Sequence, residues 1–131
     1  MAKWPPQLVA SHHDLPDWGR NIWSHVGERC RYCDDVMSTG DKRPTRDHAF
    51  PKHRGYTLAA LNGYNRVISC RSCNADKGHL NIVHWWYDLE GGGDPRASVV
   101  LKVIGTIYFN GHLPPIKDDF KFDEAIKRLT E

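Results

Sequence analysis

Residues 30–78 read CRYCDDVMSTGDKRPTRDHAFPKHRGYTLAALNGYNRVISCRSCNADKG. All four cysteines of the chain stand here, as two Cys-x-x-Cys pairs, Cys30/Cys33 and Cys70/Cys73. Zinc takes four tetrahedral thiolates or imidazoles, and each such knuckle supplies two sulfurs from one tight turn. The 36 residues between Cys33 and Cys70 are too many for a compact zinc finger. They suit a site that clamps the two ends of a functional insert. A small domain also gains folding free energy from its metal. Structural zinc is therefore expected at Cys30, Cys33, Cys70 and Cys73, with disulfides or unrelated buried thiols as the weaker alternatives.

Between the knuckles lie Asp47-His48 with Pro51 after them, then Asn65, and Asn74 directly follows the last cysteine. The pattern C-x2-C … D-H-x2-P … N-x4-C-x2-C-N-x2-K-G resembles the HNH endonucleases of the ββα-metal (His-Me finger) type, specifically those with a four-cysteine zinc site. The resemblance covers residues 30–78, somewhat over a third of the chain. It implies an α+β fold: a small, zinc-stabilised, treble-clef-like ββα-metal core, with further helices flanking it. It also implies hydrolysis of DNA phosphodiester bonds, leaving 5′-phosphate and 3′-hydroxyl ends. In that scheme Asp47 and Asn74 hold one divalent cation, and hard oxygen ligands suit Mg²⁺ or Mn²⁺. His48 is the general base, and Asn65 ties the loop to the strand so that the His48 ring is aimed, with Asn62 a near rival for that duty. Asn74 stands where other members carry His, which marks the HNN-type variant. His79 follows five residues later, where a continuing helix would turn it away from Asn74, so a helix-surface place is expected.

Outward from this block, charge is unevenly spread. Residues 42–77 carry eight Lys/Arg against two acids, a balance of +6, while the rest has ten against fourteen, or −4. Nucleic acid, DNA first, is the partner that this asymmetry fits; an ordinary solvated face explains it about as well. Lys77, Arg71, Arg66, Arg46, Lys52 and Arg54 are the candidate phosphate contacts. Trp85-Trp86-Tyr87 are expected in the core rather than stacked on bases. The remaining histidines have no partner spacing.

For the elements, a short helix is expected over 14–26, leading into Cys30. Val36-Met37 and 45–50 are strand candidates joined by a turn at 38–41. Residues 52–64 read as loop. A helix is expected over 74–89 despite Gly78. Helices over 95–109 and 119–129 follow a firm Gly-Gly-Gly-Asp-Pro break at 91–95. One compact domain of 131 residues results, organised as an N-terminal arm and helix (1–29), the nuclease-like core (30–90) and a helical extension (91–131).

A hydrophobic fraction of 40% and a charged fraction of 26% place the chain among globular proteins. No run is apolar for the roughly 18 residues a membrane span needs, and the first residues lack a secretory h-region. A cytoplasmic location with reduced thiols is expected. A non-catalytic zinc-knuckle module that binds nucleic acid or protein is one competing reading. Another is the same chemistry on RNA or branched DNA. A homodimer or a larger phage or defence assembly fits either enzyme reading.

Overall fold

The computed structural model describes residues 21–51, 62–114, 116 and 118–131. Strand β1 (Pro44–His48) pairs antiparallel with β2 (Arg66–Cys70), in the register Pro44↔Cys70 through His48↔Arg66. The β-branched residues Val67 and Ile68 are buried with every residue of β2 after Arg66, as a strand covered on both faces requires. Helix α1 (Arg71–Lys77) starts without a linker, with Cys70 as its N-cap. Gly78, at φ 57°, ends it. Helix α2 (Ile82–Gly91) then begins at Asn81, whose side chain accepts from the His84 amide at 2.9 Å.

Two longer amphipathic helices complete the described chain. Helix α3 (Arg96–Phe109) follows Pro95, and α4 (Phe120–Thr130) is capped by Asp119, whose carboxylate accepts from the Lys121 and Phe122 amides. Asp119 also takes His84 at 2.7 Å, so one carboxylate fixes the start of α4 against α2. Burial raises the Asp119 carboxyl, but His84 and the two cap N–H groups outweigh it and hold it below its ordinary value. The core runs from Tyr32, Met37 and Phe50 through Trp85 and Trp86 to Val100, Ile104 and Leu129. Trp85 and Trp86 are core residues, as expected.

The result is a small mixed α+β fold with, among the described residues, four α-helices and one two-stranded sheet. No described helix is long and apolar enough to cross a membrane.

Four local expectations differ from the structure, two of them lying partly outside the described residues. The helix expected over 74–89 is two helices, because the positive φ at Gly78 redirects the chain and Asn81 caps a new start. Val36-Met37 does not pair with 45–50. Val36 makes an isolated bridge to Arg29, and β1 takes β2 instead. Of the helix expected over 14–26, residues 14–20 lie outside the described residues, and Ile22–His25 forms one 3-10 turn that ends at an extended Val26. The expected loop at 52–64 lies outside the described residues up to 61, and Asn62–Asn65 is a 3-10 turn.

Candidate functional site

The four cysteines converge from two local turns. In the first, the Asp34 amide closes on the Cys30 carbonyl at 2.9 Å and Asp34 takes φ 67°, a left-handed conformation that Asp tolerates better than most residues. In the second, Cys70 ends β2 and Cys73 lies one turn into α1. All four sulfurs lie within 4.8 Å of one another, with Cys33 and Cys70 at 3.9 Å. Zinc–sulfur bonds of about 2.3 Å in a tetrahedron imply sulfur–sulfur edges of about 3.8 Å. A disulfide would bring two sulfurs to about 2.05 Å, and all four cysteines are free.

The surroundings also suit a metal thiolate. The Tyr32 and Cys70 amides donate to Cys30 Sγ at 3.3 and 3.2 Å. Lys42 Nζ reaches Cys33 Sγ at 3.9 Å and Arg96 reaches Cys73 Sγ at 3.7 Å. Four thiolates around Zn²⁺ would leave two negative charges, and these two side chains bring donors to the sulfurs while also pairing with Asp35 and with Asp76 and Asp94. A hydrogen bond from the Cys73 thiol lowers Cys30 to about 5, while burial pushes Cys33 up to about 11. Giving its hydrogen bond to Cys30 moves Cys73 well above the ordinary thiol range. The Cys30 thiolate forms easily while Cys33 and Cys73 resist ionisation beside it, and a bound cation would favour their thiolates. The cluster is able to hold a zinc ion.

Beside it opens a pocket of about 360 Å³ lined by Arg46, Asp47, His48, Pro51, Asn74, Gly78 and His79. Asp47 and His48 come from the end of β1 and Asn74 from α1, so residues 26 positions apart share one cavity. The Asn74 amide nitrogen donates to Thr45 Oγ1 at 3.0 Å and to the Arg46 carbonyl at 3.3 Å. Those bonds orient the amide and leave Oδ1 as the atom it can offer a ligand. Asp47 contributes a carboxylate whose Oδ2 accepts from the Tyr32 hydroxyl at 2.7 Å and from Lys77 Nζ at 3.2 Å. A carboxylate and an amide carbonyl at an open cavity are a hard donor set, which fits Mg²⁺ or Mn²⁺.

Asn65 is buried and clamps the backbone of Phe50 twice: Oδ1 accepts from the Phe50 amide at 2.7 Å, and Nδ2 donates to its carbonyl at 3.1 Å. The Asn65 carbonyl takes the Ala49 amide at 2.9 Å. The two residues that follow His48 are thus tied to the start of β2, where a positioning role for Asn65 requires them. Asn65→Ala leaves two buried backbone groups of Phe50 unpaired and is expected to destabilise by about 2–4 kcal/mol. Asp47 and Asn74 keep their own hydrogen bonds, so thermal melting should drop while any divalent-ion stoichiometry at the pocket holds. Loss of the ion would instead make Asn65 a ligand.

The basic residues divide. Arg46 lines the pocket and Arg66 is exposed at the start of β2. Arg71 is half-exposed and paired with Asp41 at 3.0 Å. Lys52 and Arg54 lie outside the described residues. Lys77 is corrected. It was expected among the phosphate contacts, but its side chain is wholly buried and spends its ammonium on Asp47 and, at 2.9 Å, on the His48 carbonyl. Burial pushes that ammonium below its ordinary value, and the Asp47 carboxylate pulls against the shift. His79 is corrected too: Gly78 ends α1, and His79 lines the pocket instead of a helix surface.

Tyr32 and Thr45 were not singled out from the sequence. Tyr32 lies between the cysteines of the first knuckle, and a fully buried tyrosine there calls for a hydroxyl partner; that was the available signal. No family model, curated protein or solved structure matches this chain.

Proposed function

We propose that the chain is a metal-dependent endonuclease of the HNH type, in its HNN variant, hydrolysing phosphodiester bonds of DNA. The observation that carries this reading is the meeting of Asp47, His48 and Asn74 in one pocket beside the four-cysteine cluster. The order β1, β2, α1, with the cluster bridging the start and end of that unit, supports the finer reading of a treble-clef-like ββα-metal core. Zinc at Cys30, Cys33, Cys70 and Cys73 is structural in this scheme.

A divalent cation at Asp47 and Asn74 would supply Lewis acidity toward a phosphate oxygen. His48 accepts a proton from the attacking water as the phosphodiester opens toward a 5′-phosphate and a 3′-hydroxyl. Asn65, through the Phe50 backbone, holds the segment that carries His48. Arg46 at the pocket wall is placed to meet the polyanion.

A module that binds without cutting is favoured by one observation, the neutralisation of Asp47 by Lys77. Supercoiled plasmid separates the two readings. Zinc-loaded protein with Mg²⁺ or Mn²⁺ is expected to nick or linearise it, brief chelation to stop the reaction, and fresh Mg²⁺ to restore it. Plasmid left intact across several divalent cations would sink the nuclease reading. Parallel single-stranded, branched and RNA substrates then rank the substrate classes.

A further inference from the structure

Among the described residues, Lys77 is the one lysine or arginine that is buried. Withdrawing an ammonium from water is unfavourable unless it is paired and hydrogen-bonded. Lys77 has both forms of compensation, Asp47 Oδ2 at 3.2 Å and the His48 carbonyl at 2.9 Å. These are the two adjacent residues on which the nuclease reading places cation binding and proton transfer. On the same Asp47 oxygen, the buried Tyr32 hydroxyl donates at 2.7 Å. Oδ2 is therefore already engaged, and Oδ1 is the oxygen the pocket can use.

The charge has a second consequence. Asp47 and Lys77 together are neutral, so a divalent ion entering the pocket meets one amide dipole from Asn74 and no net negative charge from this pair. The missing attraction has to come from elsewhere, and the phosphate of a bound nucleic acid supplies it. Cation and substrate then each raise the other's affinity by the same factor.

We propose that Lys77 is a positioning residue: it fixes Asp47 and the His48 backbone before a cation arrives, and it keeps cation binding weak until a phosphodiester is present. The proposal rests on the nuclease reading.

The test is Mn²⁺ binding to the zinc-loaded full chain without nucleic acid, followed by calorimetry. Lys77→Gln keeps a hydrogen-bond donor and removes the charge, so its Mn²⁺ dissociation constant is expected to fall by about tenfold or more. Its turnover at saturating Mn²⁺ should fall as well, because the shorter side chain no longer spans Asp47 and the His48 carbonyl. Tyr32→Phe removes a neutral donor from the same oxygen and leaves the Lys77 charge in place, so it should not tighten Mn²⁺ binding. A Lys77→Gln protein with wild-type or weaker Mn²⁺ affinity overturns the proposal.

Should the Lys77 variants fail to fold, His48→Ala protein carries the test. Its Mn²⁺ affinity should rise about tenfold or more when a short duplex is added, and equal affinity overturns the proposal. His48→Ala protein that binds no Mn²⁺ even beside a short duplex overturns this inference together with the nuclease reading. Wild-type protein that binds Mn²⁺ and cuts, beside a Lys77→Gln protein of equal affinity, overturns this inference alone.

Discussion

Cys73→Ser is expected to cost the chain both zinc binding at the four-cysteine cluster and its cooperative fold. Structural zinc sites in finger peptides bind with an apparent free energy on the order of 10–16 kcal/mol at neutral pH. A domain of this class is stable by only about 5–15 kcal/mol in total. A serine hydroxyl is a poor replacement for a thiolate, so losing one ligand of four forfeits on the order of several kcal/mol, comparable with the whole margin. Position makes Cys73 a severe case. It is buried at 2% exposure, it hydrogen-bonds Cys30, and it receives Arg96, which also holds Asp94 and Asp76.

Cys33 is only half-buried, so Cys33→Ser should be the milder variant. Metal analysis and thermal unfolding check the ranking: one zinc per wild-type chain, well under one in Cys73→Ser, and a broad or absent transition. A Cys73→Ser protein that keeps its melting temperature and one zinc would show that the cluster does not hold the fold together.

The same variant should silence the pocket, for reasons visible in the structure. Asn74 follows Cys73 directly on α1. Tyr32 sits inside the first knuckle and donates to Asp47. The second knuckle therefore leads directly into a pocket residue and the first holds Asp47 through Tyr32, and loosening the cluster frees both. The Cys73-Asn74 junction was legible in the sequence because it is local. Tyr32 to Asp47 spans 15 positions and Lys77 to His48 spans 29, and contacts of that range leave no periodic trace.

Elsewhere legibility followed the same division. The helices expected over 95–109 and 119–129 appear as Arg96–Phe109 and Phe120–Thr130, because proline, an acidic cap and an apolar stripe are local signals. The strand at 45–50 was found within two residues, but its partner was not. Pairing is decided by which strand the buried face of β2 covers, and a five-residue strand does not announce that. The Gly78 break was visible as a glycine and outweighed by the apolar spacing beyond it. Its φ of 57° is what turns His79 into the pocket and leaves Lys77 as the last residue of α1, facing inward.

On the proposed nuclease reading, His48→Ala is expected to lower turnover by about 10² to 10⁴-fold, the usual worth of a positioned general base, while zinc content, cation affinity and melting change little. The separation follows from where the His48 backbone is anchored. Its backbone is held by the β1–β2 ladder opposite Arg66 and by Lys77 at the carbonyl, and truncation beyond Cβ disturbs neither. The cation site proposed at Asp47 and Asn74 keeps its own anchors in Tyr32, Lys77, Thr45 and the Arg46 carbonyl.

Added imidazole should recover part of the lost rate in His48→Ala, because the space vacated opens on the pocket, and none in Asp47→Ala, where the loss is of a ligand. His79 shares the pocket wall, so His79→Ala is the necessary companion. If His48→Ala cuts plasmid at the wild-type rate and His79→Ala does not, proton transfer belongs to His79 and the motif-based assignment of the base falls. If only His48→Ala loses activity and imidazole restores it, the base is the histidine that β1 carries into the pocket next to Asp47.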